Sequence, residues 1–397
     1  MIKTPKLAAN LLFGLAAATA SMAAPGIARA ADLVIGEIHP ITGPAAFYGL
    51  PESQAIKAAA DEINTAGGVK VGGTSYQIVI KTADDQASPT VGVAALRKLL
   101  GEGAKFIIGP IASGVAPALK PIIESRPDVV QLIDGSIADG LTNGKTIFRN
   151  QASVQAYNDA LTRLTKARAY PTVAVMTDRF HAGFMGSQKT LVDALEAQGN
   201  KVVAQEYHKL NDTDFAAQLT KIASLKPAAL VLRGYPAEGA LITKTARHLG
   251  YQGQVIWEFV SPPSTVLKNI SPAEMEGVLN AIPPTSQDYV TLGNEKALKL
   301  ETRLKKMFNA EIGELSTLSY DAVYIFKAAI EKAGTLDSAA VAKAFTELKT
   351  TDVPMAINPY VPGKDNLLFT DGQVGLPGGV QIWKGNGWQP LADLKRN

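Results

Sequence analysis

Ser113 stands where its chemistry could count. It lies in a run of small residues, Gly109, Pro110, Ala112, Ser113 and Gly114. The apolar triplet Phe106-Ile107-Ile108 precedes that run, and Leu119, Ile122 and Ile123 follow it at helical spacing. A strand, a loop and a helix are therefore expected over Phe106–Glu124. A helix start presents unpaired backbone N–H groups and the positive end of the peptide dipoles. A serine there adds a hydroxyl donor, so the turn can seat a carboxylate without lysine or arginine. The same serine has a plainer reading as the N-cap of the helix, and this stretch alone leaves both open.

Other reactive residue types form no recognisable machinery. The four histidines, His39, His181, His208 and His248, are scattered and show no H-E-x-x-H spacing. No G-x-S-x-G elbow occurs, and no G-x-G-x-x-G follows the first strand pattern. Gly183–Thr190 only grazes the phosphate-loop pattern, because Gln188, not glycine, precedes Lys189. The chain has no cysteine, which excludes disulfides, thiolate metal sites, thiol nucleophiles and a thioether lipid anchor. No catalytic residue, metal ligand or cofactor is assigned.

The first thirty residues read as an export signal. Lys3 and Lys6 make a basic start, Leu7–Ala20 is a short alanine-rich apolar run, and Ala28-Arg29-Ala30 offers small residues for cleavage before Ala31. The whole chain carries 39 Lys+Arg and 36 Asp+Glu. Lys3, Lys6 and Arg29 fall in the signal, which holds no acid, so the mature chain is charge-balanced. No nucleic-acid partner is expected from that balance. An exported, unlipidated, cysteine-free chain fits the periplasm of a Gram-negative bacterium. With 397 residues in all and 46% of them apolar, the mature part is long for one core and comfortable for two.

The pattern alternates strand and helix. Leu33–Ile38, Tyr76–Thr82, Phe106–Ile108 and Val129–Ile133 read as strands, with helices around Ile56, Ala59, Ala60 and Ile63 and over about 91–100. The same grammar restarts after Asn150, with strands at Thr172–Met176, Lys201–Tyr207, Ala229–Leu232 and Gln254–Trp257. Strands separated by helices of ten to fifteen residues make βαβ units and parallel sheets. The expected fold class is therefore α/β, with two Rossmann-like lobes and a central cleft at the strand C-termini. The Pro-rich stretch Ala281–Ser286 reads as a crossing back to the first lobe, followed by helices near 295–308 and 318–332. The expected division is 1–30 signal, 31–150 plus 284–352 first lobe, and 151–283 plus 353–397 second lobe, with tail strands at Asp365–Phe369 and Val380–Trp383.

An ordered series of loops then resembles the periplasmic binding proteins for branched-chain amino acids, the type I solute receptors of ABC importers. It comprises Ile41–Gly49 (ITGPAAFYG), Ala60–Gly68 (ADEINTAGG), Asp84-Asp85 with Pro89, Ile108-Gly109-Pro110 with Ser113, Leu141-Thr142 and Phe148-Arg149. The resemblance implies two lobes joined by three hinge crossings that close around a small-molecule ligand like a flytrap. It implies that Ser113, beside Ala112, holds the ligand carboxylate, and that Tyr48 packs on the ligand from the first lobe. It implies ligand-binding places for Gly135, Ser136 and Ile137, and for Phe184 and Tyr235 from the second lobe. Glu258 falls near the acid that pairs with an α-ammonium group; a solvated carboxylate is its other reading. The implied partner is an inner-membrane ABC permease, the implied location the periplasm, and a monomer is expected.

The chain also departs from the family pattern. Ala87 and Ala112 stand where a lobe-one disulfide is frequent, Ile137 replaces a threonine, and Ala182 replaces a tyrosine. Arg179, Phe180, His181 and Phe184 share one strand-to-helix loop facing the cleft; an arginine and a histidine there could meet an anionic or aromatic ligand, and exposed loop residues are the simpler reading. Arg149 reads as a structural hinge residue. The expected ligand is a hydrophobic amino acid or an aromatic or other organic acid. A ligand sensor of the same fold, feeding a signalling partner, is the alternative; an enzyme is not expected.

Overall fold

The computed structural model describes Met1 and residues 31–43 and 45–391. The export segment expected over 1–30 thus lies outside the described residues. Two sheets form. The first contains β1 (Ala31–His39), β2 (Val69–Val71), β3 (Thr74–Asp84), β4 (Phe106–Ile108), β5 (Val130–Ile133) and β6 (Ile147–Arg149). The second contains β7 (Thr172–Asp178), β8 (Lys201–His208), β9 (Ala229–Arg233), β10 (Gln254–Trp257) and β11 (Leu279–Asn280). The chain then returns to the first sheet with β12 (Phe369–Thr370) and β13 (Gln373–Val374). It ends in the second sheet with β14 (Gln381–Lys384) and β15 (Gly387–Pro390). The orders are β12-β13-β6-β5-β4-β1-β3-β2 and β15-β14-β11-β10-β9-β7-β8. The chain therefore passes between the sheets three times, as the resemblance implies. The central strands of both sheets are parallel. That follows from the long buried apolar runs, such as VVQLI and ALVL, which suit strands covered on both faces.

One expectation fails. The whole of 353–397 was placed in the second lobe, yet β12 and β13 extend the first sheet, Gln373 pairing with Arg149. The cause is packing: the Phe369 ring lies 5.3 Å from that of Phe148 and 5.7 Å from that of Phe345, filling the first core. The same segment is tied back by Asp321, which accepts from the Ile357 and Asn358 amides and from the Tyr360 hydroxyl. Two-residue strands carry no periodicity to read. The expected strand at Asp365–Phe369 is mostly a 3-10 turn, Lys364–Asn366, before β12. The predicted helix near 187–198 is preceded by a separate short turn, Ala182–Gly186. No helix of the described residues is long and apolar enough to cross a membrane.

Candidate functional site

Strand order decides where the site falls. In the first sheet β3 and β4 flank β1 on opposite sides, so the loops leaving β1 and β4 diverge and open a crevice at the C-terminal edge. The β1 loop leads to the helix Ala46–Thr65, whose first turn carries Tyr48; the β4 loop carries Ser113. The second sheet repeats the device, with β8 and β9 flanking β7. Its two diverging loops carry His181 and Phe184, and Gly234 and Tyr235. The two crevices face each other across one cavity. Its space open to the centre of a water molecule is about 60 Å³, room for a few waters or one small molecule.

The Ser113 turn is built by close approach. Gly109 takes φ +102, and a Cβ there would lie 2.3 Å from the Ile38 carbonyl oxygen, so only glycine fits. The following helix is Ala116–Glu124, and its N-cap is Val115, with no side-chain cap. Ser113 is therefore not the cap. Its Oγ instead accepts from the Ile137 amide at 3.2 Å and from the Ser136 hydroxyl at 3.3 Å. With those donors occupying its lone pairs, the Ser113 hydroxyl is left to donate. Ser113 is one of the cavity-lining residues. Among the described residues, the Ser113 and Gly114 amides have no acceptor, while the Val115 and Ala116 amides turn back to the Ala112 carbonyl. Ser113 lines the cavity and Gly114 does not, so the Ser113 hydroxyl and amide are the donors this helix start offers to an anion there.

A buried ion pair fixes the loops on that side. His39 ends β1 and its Nε2 lies 3.0 Å from Asp134 Oδ2, just beyond β5; Ser319 Oγ donates to the same oxygen at 2.6 Å. Burial pushes the His39 imidazole down, but the charge and hydrogen bond of Asp134 more than offset it, leaving the pKa at about 9. Pro40 and Gly135, the next residues after this pair, line the cavity. Arg149 is also structural: Nη1 donates to the Ser136 and Ala138 carbonyls and Nε to Gln373.

The second lobe presents a neutral wall over a buried cation. Arg233 is fully buried. Nη1 donates to the Phe184 carbonyl and Gln188, Nη2 to Asn158 and Ser187, and Nε lies 2.7 Å from Glu258 Oε2. Its guanidinium carbon sits 4.9 Å from the Phe184 ring centroid. Burial pushes the Glu258 carboxyl up and Arg233 offsets only part of that, leaving it at about 7. His181 caps the turn Ala182–Gly186, its Nδ1 accepting from the Phe184 amide at 3.3 Å. Its ring stacks on Phe184 at 4.2 Å. Burial, and secondarily the Arg233 charge, drop its pKa to about 3, so the ring is neutral. A neutral imidazole that accepts at Nδ1 carries its proton at Nε2. Across the cleft, the Tyr48 hydroxyl donates to the Val260 carbonyl, bonding one lobe to the other. A Cβ on Gly183 would lie 2.9 Å from Ile137 Cγ1, so a side chain there would push the lobes apart.

Of the residues singled out by sequence, Tyr48, Ala112, Ser113, Gly135, Ile137, Phe184 and Tyr235 line the cavity. Ser136 does not: it is fully buried and supports Ser113 from behind. Glu258 does not either; it is neither solvated nor in the cavity but paired with Arg233. The strand β9 places Arg233 inward, where it meets Glu258 just past the end of β10. Sequence reasoning passed over Tyr157, Gln151, Phe259, Val260 and Leu315, and treated His181 as exposed; all six line the cavity. Only His181 had a usable signal, its place one residue before the family's tyrosine position. Ala87 and Ala112, where the family's disulfide would fall, both border the cavity. Among the described residues no group of His, Asp and Glu is arranged to hold a metal.

Comparison with known proteins agrees with this architecture. The chain is 31% identical over 366 residues to the Leu/Ile/Val-binding protein homolog 3 of Brucella melitensis, covering 87% of this chain and 93% of the relative. It superposes on a leucine-binding protein from Thermotoga maritima with a TM-score of 0.76 at 24% identity, covering 91% of this chain and 98% of the other. A solute-binding protein from R. palustris in complex with benzoate gives a TM-score of 0.75 at 17% identity, covering 91% and 95%. The sequence model described as periplasmic binding protein matches residues 32–374, and with two three-times-crossed α/β lobes closed on one cavity this chain belongs to that family, in its branched-chain amino-acid-binding branch.

Proposed function

We propose that this chain binds a small carboxylate with an apolar body and no amine, in the periplasm, and passes it to the permease of an ABC importer. The charge inventory of the cavity carries this reading. The Ser113 hydroxyl and its free amide offer a seat for an anion. Among the described residues lining the cavity there is no Asp or Glu to receive an ammonium group. Glu258, the acid that the resemblance pointed to, is held by Arg233. Burying an ammonium group without a partner costs several kcal/mol, which sets this lining against an amino acid. The Thermotoga protein is described as leucine-binding and the R. palustris protein holds benzoate. The fold thus admits both kinds of ligand, and the lining must decide. Here Ile111, Ile137, Phe184, Phe259 and Leu315 supply an apolar body-binding surface, flanked by Tyr48 and Tyr235.

A ligand held by both lobes stabilises the closed arrangement relative to the open one, which the permease can then distinguish. The protein works as a monomer and does not turn its ligand over. A thermal-shift panel tests the reading, because a ligand bound only by the native state raises stability by about 2.7 kcal/mol at a hundred times its dissociation constant. Benzoate, hydroxybenzoates, phenylacetate and aliphatic acids are compared with leucine, isoleucine and phenylalanine. Amine-free acids are expected to raise the melting temperature and amino acids to leave it unchanged. Stabilisation by leucine with none by the acids overturns the proposal.

A further inference from the structure

The second lobe carries polar groups that an anion seat on the first lobe does not use. His181 and Tyr157 are 9% and 2% exposed, and both line the cavity. Both pack about Phe184, with ring centroids 4.2 and 6.4 Å from it. His181 Nδ1 is occupied by the Phe184 amide, so the ring is fixed and its Nε2–H has no protein acceptor among the described residues. The Tyr157 hydroxyl bonds to no described protein group either. Tyr235 adds a third hydroxyl at the edge, its ring 5.3 Å from His181. These groups come from three separate elements: the helix Val154–Ala167, the β7 loop and the β9 loop. Their convergence on one wall is a feature of the fold and not of one turn.

We propose that His181 and Tyr157, with Tyr235 beside them, form a second polar subsite that takes an uncharged oxygen of the ligand, opposite the carboxylate held at Ser113. The preferred ligand is then a hydroxy- or oxo-substituted aromatic carboxylic acid. This rests on the amine-free carboxylate reading and adds to it the second polar group. The physical argument is satisfaction. A dry, wholly apolar ligand body would leave an N–H and an O–H buried without partners, which weakens its binding. A site built to hydrogen-bond a substrate oxygen rejects the analogue that lacks it far more strongly than a greasy slot rejects a missing methylene. The groups offered are neutral, with Nε2–H a donor and the tyrosine hydroxyls able to donate or accept. They therefore suit a hydroxyl or carbonyl oxygen and do not suit an ammonium group.

The test is calorimetric titration of the mature protein with benzoate, 4-methylbenzoate, 3-hydroxybenzoate, 4-hydroxybenzoate and leucine. It is repeated on His181→Phe, which keeps a ring against Phe184, and on Tyr157→Phe, which removes one oxygen. In the unaltered protein one hydroxybenzoate isomer is expected to bind at least tenfold more tightly than both benzoate and 4-methylbenzoate. That ratio is expected to fall below about threefold in each variant. Benzoate and hydroxybenzoates binding equally to the unaltered protein, which needs no variant to fold, overturns the subsite while leaving the carboxylate reading standing. A preference that persists in both variants also overturns it. Leucine binding with no binding of any benzoate overturns the carboxylate reading, and this inference with it.

Discussion

Removing one hydroxyl, Ser113→Ala, separates two roles that the structure gives to a single atom. Ser113 Oγ accepts the Ile137 amide at 3.2 Å, and that amide is buried. Losing the acceptor strands a buried N–H, which costs about 1–3 kcal/mol of folding stability. In a lobe of this size each kcal/mol moves the melting temperature by about 2–4 °C, so the ligand-free protein should melt several degrees lower. The second role is donation to a carboxylate. A hydrogen bond to a charged group contributes about 1.5–3 kcal/mol, so affinity for the best carboxylate should fall by roughly ten- to a hundredfold. The two effects are read separately, by melting the free protein and by titrating it at a temperature where it is fully folded. Ser113→Cys keeps a weak acceptor and serves as the intermediate case. A lower melting temperature with unchanged carboxylate affinity would mean that Ser113 only braces the Ile137 loop, and the anion seat would be refuted.

Three further outcomes follow from the same geometry. Glu258→Ala strands the buried Arg233 charge and should destabilise the free protein by about 3–5 kcal/mol, seen as a lower urea midpoint; a change under 1 kcal/mol would show that the pair does not hold the second lobe. Tyr48→Phe removes the bond to the Val260 carbonyl and should weaken ligand binding by about 0.5–1.5 kcal/mol, with small-angle scattering showing a more open average shape; unchanged scattering and affinity would deny it a part in closure. His39 has a folded pKa of about 9 against an ordinary 6.5, so its stabilising contribution is fully present below pH 6.5 and is lost as pH rises to about 9. At 1.36 kcal/mol per unit that is about 3 kcal/mol, read as a falling urea midpoint, and a flat profile over that window would be the contrary result.

The legible parts of the molecule were those with long-range periodicity. Tyr76–Thr82 alternates, and Ile56, Ala59, Ala60 and Ile63 share a helix face, so β3 and the helix Ala46–Thr65 were readable from local pattern. The tail was not, because β12 and β13 are two residues long and are held in place by Phe148, Phe345 and Arg149, all distant in sequence. The site divided in the same way. The strand-to-helix context singles out Ser113, but it took the ordered series of family-like loops to favour a ligand seat over an N-cap. Glu258 could not be judged without Arg233, which is 25 positions earlier and shows no pairing signal in the linear chain. Tyr157 looks like any buried aromatic of an amphipathic helix until the second lobe folds down on the first. Val260 enters through its carbonyl, a group that side-chain reading ignores.

The charges in this site sit one layer behind the surface the ligand touches. Arg233 and Glu258 neutralise each other beneath Phe184, and His39 and Asp134 do the same at the ends of β1 and β5. The cavity wall itself is made of hydroxyls, amides, a neutral imidazole and hydrocarbon. Fixed dipoles on rigid loops hold an anion without placing a mobile counter-charge in the cleft. On the proposed reading, opening can then release the ligand without breaking a strong ion pair. Gly183 lets the second lobe close onto Ile137, since a Cβ there would lie 2.9 Å from Ile137 Cγ1, and His181, locked through Nδ1, is the neighbouring polar group on the cavity wall. On the proposed reading, specificity is set by the neutral donors that remain once each buried charge has found its partner.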